Sequence, residues 1–151
     1  MSAHQIAQEV VKSPYVIHAH QDITEAWDYM KKCQIRHLPV YRGDEIVGII
    51  SDRDLRSVTA LKSKYKLLVE DVMKTDVYLV ERHTPIRKVA QYMADHKIGS
   101  ALIVDQKEHL IGIFTTSDAL YLLAHILEDS ERSGLVLSDE DYWPRGFLES
   151  V

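Results

Sequence analysis

The sequence predicts an α+β fold in which two β-α-β-β-α halves pack sheet to sheet around a pseudo-two-fold axis. Three observations predict it. Gly48-Ile49-Ile50-Ser51-Asp52-Arg53-Asp54 returns as Gly112-Ile113-Phe114-Thr115-Thr116-Ser117-Asp118. A shift of 63 places Tyr15 on Tyr78, Ile23 on Ile86, Tyr29 on Tyr92, Met30 on Met93 and Ile35 on Ile98. One extra residue in the following loop raises the shift to 64, which aligns Gly48 with Gly112 and Asp54 with Asp118. A period this long, occurring twice, indicates paired halves rather than an open solenoid. Each half, at roughly 55 residues, buries too little surface to stand comfortably alone, so the two share a core.

The elements follow in order. Residues 4–11 carry Ile6, Val10 and Val11 on a short helix, and Tyr15 to His18 reads as a strand. Asp22 is placed to cap a helix bearing Ile23, Ala26, Trp27, Met30 and Cys33 at spacings of three and four. His37 to Tyr41 and Glu45 to Ile50 are strands joined by the turn Arg42-Gly43-Asp44. A helix starts at Ser51 and runs to about Leu61, and Lys62 to Lys66 is a basic linker. The second cycle has a helical turn at Val69 to Met73, a strand at Val77 to Val80 and a helix from Pro85 to Lys97. Pro85 suits the first helical turn, where its missing N–H costs nothing. Ser100 to Val104 and Leu110 to Phe114 pair around Asp105 to His109, and the last helix runs from Thr115 to about Leu127. The domains are therefore 1–66, 67–128 and an acidic tail, 129–151, whose Leu135, Tyr142, Trp143 and Phe147 are too apolar for a plain solvated segment.

Composition excludes several classes. Hydrophobic residues make up 46% and charged residues 27% of the chain, as in an ordinary globular protein. From Glu128 to Val151 seven acids face Arg132 and Arg145, a balance of −5 that equals the total for the whole chain. The body is thus electrically balanced and offers no concentrated basic face for nucleic acid. No apolar run reaches the roughly 20 residues that span a bilayer, and Met1 to Gln8 is too polar for a secretory signal. With Cys33 alone, no internal disulfide forms and no cysteine-rich metal site is available. These features read as a cytoplasmic protein with no nucleic-acid or membrane partner. The six glycines fit neither the dinucleotide fingerprint nor the phosphate-loop pattern. His18 and His20 share a strand face, but nothing with ligand spacing accompanies them, so no metal is expected. Nor does any serine, cysteine or carboxylate pair argue for catalysis, so the chain is read as a non-enzyme.

The repeated hydroxyl–x–x–aspartate carries the functional question. Ser51 with Asp54, and Thr115 with Asp118, each have the spacing of a helix capping box. The same geometry suits a ligand. A helix start presents free N–H groups to phosphate oxygens, a hydroxyl on the first turn adds a contact, and a carboxylate accepts from ribose hydroxyls. Taken singly, each motif reads better as a cap. An aspartate beside a phosphate site favours a ligand with a sugar diol as well, and recurrence in both halves weighs against mere capping without removing it.

Residues 5–128 resemble the tandem cystathionine-beta-synthase-type (CBS) domain pair, or Bateman module. The likeness rests on Ile35-Arg36-His37-Leu38-Pro39-Val40 with Gly48 to Arg56, and on Val69-Glu70-Asp71-Val72-Met73-Lys74-Thr75 with Gly112 to Asp118. It implies binding of an adenine nucleotide (AMP, ADP or ATP) as a regulatory ligand, with no catalytic cofactor. S-adenosylmethionine or NAD, or a ligand-free interaction module, are the alternatives. It further implies that Asp54 and Asp118 hold riboses and that Ser51 and Thr115 lie near phosphates. Ser13, Tyr15 and Val16, and likewise Thr75, Val77 and Tyr78, would meet adenine largely through backbone. Arg36, His37 and Arg53 would gather the phosphates by charge-assisted bonds, their counterparts in the second repeat being Gly99, Ser100 and Ser117. Pro39 and Ala101 complete the implied set. His37 is open to two readings, a cation on phosphate or a neutral histidine bonded within the fold. The resemblance also implies a homodimer that signals to itself or to an unidentified protein target.

Overall fold

The computed structural model describes residues 14–58 and 64–134. The chain divides into two compact units, Met1–Thr115 and Thr116–Val151. The first holds two three-stranded sheets, one per half.

In the first half, β1 (Ile17–His18) leads to α1 (Ile23–Cys33), β2 (His37–Arg42), β3 (Glu45–Ser51) and α2 (Asp52–Ser57). The second half begins with α3 (Val69–Val72) and continues through β4 (Leu79–Glu81), α4 (Ile86–Asp95), β5 (Ser100–Val104) and β6 (Leu110–Thr115). In each sheet the first strand runs parallel to the second, and the second antiparallel to the third.

The register repeats with the sequence. Ile17 pairs with Val40, and Val80 with Ile103; Val40 pairs with Gly48, and Ile103 with Gly112. Even the strand irregularities correspond, falling at Val40/Tyr41 and Ile103/Val104. The one extra residue of the second repeat is absorbed in the loop between β5 and β6. The first hairpin turns at Gly43, whose φ of 60° is the left-handed conformation that glycine adopts freely. The longer second loop is held by Asp105, whose Oδ1 accepts from the N–H groups of Lys107 and His109 at 2.8 and 2.9 Å.

α1 forms because its apolar residues recur on one face and both ends are capped. Ile23, Ala26 and Met30 are buried, and Asp22 accepts from the Thr24 N–H at 2.8 Å. That bond and the Thr24 hydroxyl hold the Asp22 carboxyl below its ordinary pKa. Ile17, Ala26, Leu38, Val40, Ile50, Leu55 and Val69 form the core of the first half, and Ala101, Leu102, Ile103 and Phe114 are buried in the second. Aromatic pairs repeat too. Tyr15 meets Tyr29 edge to face at 5.5 Å, and Tyr78 stacks on Tyr92 at 4.1 Å.

Some boundaries differ from expectation. The expected helix over 4–11 lies outside the described residues, as do Ser13, residues 59–63 and the tail from 135 onward. β1 and β4 are shorter or later than their apolar runs, since Tyr15 to Val16 and Val77 to Tyr78 lie outside the paired strands. Pro85 caps α4 from outside, its carbonyl accepting from Lys88 and Val89, while the left-handed Lys97 lies beyond its last turn. In the second unit α5 (Thr116–Arg132) extends past Leu127, supported by a Glu128–Arg132 ion pair one turn apart and followed by Gly134 at φ 75°.

The segment entering the second half is bound to the first. Gln21 and Ala19 carbonyls accept from Val69 and Glu70, and Ile49 and Lys74 exchange two backbone hydrogen bonds of 2.9 Å. Gly48 permits that approach. A Cβ there would lie 2.6 Å from Met73 Sδ and 2.7 Å from the Lys74 carbonyl oxygen.

Candidate functional site

The first helix start is a complete reciprocal cap. The Ser51 Oγ accepts from the Asp54 N–H at 3.2 Å, while Asp54 Oδ2 accepts from the Ser51 N–H at 2.9 Å and from its hydroxyl at 2.5 Å. Capping, the plainer of the two readings, is therefore realised here. It uses only one carboxylate oxygen. Asp54 Oδ1 faces the ammonium of Lys74 at 3.4 Å, with the Asp54 side chain 13% exposed and that of Lys74 65% exposed.

Cations gather around this point in two groups. Arg36 Nε lies 3.2 Å from Asp52 Oδ2, and Arg56 reaches the same oxygen at 3.3 Å from one turn further along α2. Arg53 is exposed on the first turn. So Arg36, Arg53 and Lys74 all stand near one helix start, and Arg36 and Lys74 are already matched by carboxylates.

His37 occupies the junction of the halves. It opens β2, and a Cβ on Gly99 would come 3.2 Å from its Nε2, so glycine at 99 leaves the imidazole its space. Arg36-His37 and Gly99-Ser100, positions at which the two repeats differ, thus approach one another through His37 and Gly99. The Tyr41 hydroxyl, also in the first half, meets the Leu110 backbone of the second. Burial holds the His37 imidazole below the ordinary histidine pKa. Asp52 and Asp54 oppose that shift, while Arg36 and Lys74 reinforce it. Burial thus favours the uncharged imidazole in the free protein.

A stability consequence follows. The folded pKa of His37 lies below the unfolded value of about 6.5, so the unfolded chain takes up a proton more readily. Its contribution is intact above the unfolded pKa and is lost as pH falls through that value toward the folded one. Urea midpoints measured from about pH 8 to about pH 5 should fall on acidification, and His37→Gln should flatten part of that fall. An identical slope in the variant would assign the dependence to other groups.

The remaining expected residues are placed as follows. Pro39 is buried in β2. Thr75, Val77 and Tyr78 lie between α3 and β4, and the Tyr78 carbonyl accepts from the Leu102 N–H at 2.9 Å. Gly99 precedes β5, and Ser100 and Ala101 begin it. Tyr15 and Val16 precede β1, with Tyr15 half exposed. Thr115 ends β6, whereas Ser117 and Asp118 lie in the first turn of α5, in the second unit. Lys74 was not anticipated as a site residue. Twenty positions separate it from Asp54, and the strap that pairs Lys74 with Ile49 brings them together. No group of three or more metal-binding side chains occurs among the described residues, and no helix there is long and apolar enough to cross a membrane.

Comparison with known proteins places this arrangement. A CBS domain-containing protein of Dictyostelium discoideum is 30% identical over 135 residues, spanning 82% of this chain and 93% of its own length. The CBS domain pair of protein MJ0100, solved in complex with 5′-methylthioadenosine and S-adenosyl-L-methionine, superposes with a TM-score of 0.69 at 26% identity. That match covers 79% of this chain and 95% of the other. A protein named for acetoin utilization (AcuB) from Vibrio cholerae gives a TM-score of 0.71 at 29% identity, covering 84% and 95%. The CBS domain pattern itself matches residues 6–60 and again 69–125. The chain belongs to the CBS domain family, of which it carries two copies in tandem.

Proposed function

We propose that this chain is a regulatory module that binds an adenine nucleotide, AMP, ADP or ATP, at the helix start of Ser51 and Asp54. Occupancy is passed on as a change in the angle between the CBS repeats or in dimer contacts. The observation that carries this reading is the Asp54 carboxylate. One oxygen is anchored by the cap and the other faces the exposed ammonium of Lys74, so a ribose diol has an acceptor that the cap does not consume. Two adenosine derivatives bound to the MJ0100 pair support the nucleoside class. Arg36 and Arg53 supply cations for phosphates, and the strand-flanking segments at Tyr15-Val16 and Thr75 to Tyr78 supply backbone for adenine. By the repeat, Thr115 and Asp118 take the corresponding roles at the second helix start.

A ligand shifts the angle only by the difference in its affinity for two arrangements, so the module needs no chemistry of its own. The reading is tested by melting the protein with AMP, ADP, ATP and S-adenosylmethionine. Near 100 times its dissociation constant a ligand adds about 2.7 kcal/mol, a rise of about 5–10 °C for a chain this size. No rise with any adenosine compound would instead favour an interaction module.

A homodimer is part of the proposal, and α5 supports it. Leu120, Tyr121, Leu123 and Ile126 are 62%, 72%, 50% and 48% exposed along that helix, more apolar surface than a solvated helix carries. Sedimentation should give twice the chain mass for the native protein and a single chain for the double variant Leu120→Glu, Leu123→Glu. A dimer that survives both charges would place the contact elsewhere.

A further inference from the structure

We infer that Lys74 sets the charge of the ligand, making the Asp54 site select adenosine compounds that carry an anion over neutral or cationic ones. The inference rests on the reading of Asp54 as a ribose acceptor.

Three features of the structure lead to it. First, Asp54 Oδ2 is already held by the N–H and hydroxyl of Ser51, so Oδ1 is the oxygen turned toward a diol. Second, Oδ1 is the atom that Lys74 faces, at 3.4 Å. A diol arriving there displaces the ammonium or shares the oxygen with it. Third, Lys74 cannot leave as a whole residue. Its N–H and C=O are both bonded to Ile49, and Gly48 seats the backbone beside β3. Only the side chain moves, and at 65% exposure it is free to do so.

The displaced ammonium stays within one lysine length of the site. A phosphate on the same ligand gives it a new anionic partner, and the charge lost at Asp54 is restored. A neutral nucleoside leaves the ammonium without that partner. A sulfonium adds a further positive charge beside Lys74, Arg36 and Arg53. Under the shift of 63 the residue equivalent to Lys74 is Val11, so this filter belongs to one repeat position and not to both.

The test is calorimetric titration of the full chain with AMP, adenosine, 5′-methylthioadenosine and S-adenosylmethionine, repeated for Lys74→Met and Lys74→Arg. Methionine keeps much of the apolar stem and removes the charge; arginine keeps the charge. The preference for AMP over adenosine should drop about tenfold in Lys74→Met and persist in Lys74→Arg. An unchanged preference in Lys74→Met, with AMP still bound, overturns this inference alone. Binding of none of the four compounds, nor of ADP or ATP, to the unaltered chain overturns it together with the nucleotide reading.

Discussion

Asp54→Ala is expected to erase the nucleotide-induced rise in melting temperature and to lower the melting temperature of the free protein by about 2–6 °C. Both effects come from one carboxylate. The bonds that the carboxylate accepts from Ser51 contribute about 1–1.5 kcal/mol, and a chain of this size loses about 2–4 °C per kcal/mol. The ligand effect comes from Oδ1, the oxygen that the cap does not use. Asp54→Asn separates the two. Its carbonyl oxygen still accepts from Ser51, while its amide presents a donor where the diol needs an acceptor. The free variant should therefore melt close to the native protein and show no rise with AMP. A native-sized rise in Asp54→Asn would move the ribose to other residues.

Gly48→Ala should cost about 1–3 kcal/mol in urea unfolding, the range for forcing atoms into a packed site. The added methyl would stand 2.7 Å from a backbone carbonyl, which has no rotamer to move into, and 2.6 Å from Met73 Sδ, which does. The strain must open the Ile49–Lys74 pairing, and so the variant should also weaken nucleotide binding. Met73→Ala in the same chain relieves only the sulfur contact. Because Met73→Ala has a packing cost of its own, the comparison is with that single variant, and Gly48→Ala should cost less there than in the native chain. No cost at all in that background would show that the carbonyl contact is harmless.

The repeat made much of the fold legible. A shift of 63 that becomes 64 between β2 and β3 anticipated the matched strand registers, because side-chain alternation leaves a strand few alternative alignments. The recurring tyrosines read as an alignment and proved to be paired rings, one pair in each half. Element ends were less legible. Val77 to Val80 looks like a strand by composition, yet pairing begins at Leu79, since a strand extends only as far as its neighbour reaches. At the site, Ser51 and Asp54 were visible because capping is local. Lys74 was not, because its approach depends on a backbone pairing between segments distant in sequence. His37 was visible as a residue but open as a charge, since burial and the charges packed around it shift its pKa and both are properties of the fold.

The stitching of residues 67–74 onto the first half bears on how such a gene can be cut. Leu67, Val69, Val72 and Met73 pack with the first half's core although they precede the second repeat's own strands. A truncation that stops at 66 would strip Val69 from that core and leave the Ile49 amide without its bonding partner. The shortest excised piece expected to keep the first half intact therefore ends after Lys74, and evolution by swapping single repeats would have to carry this strap along with the donor on its amino-terminal side.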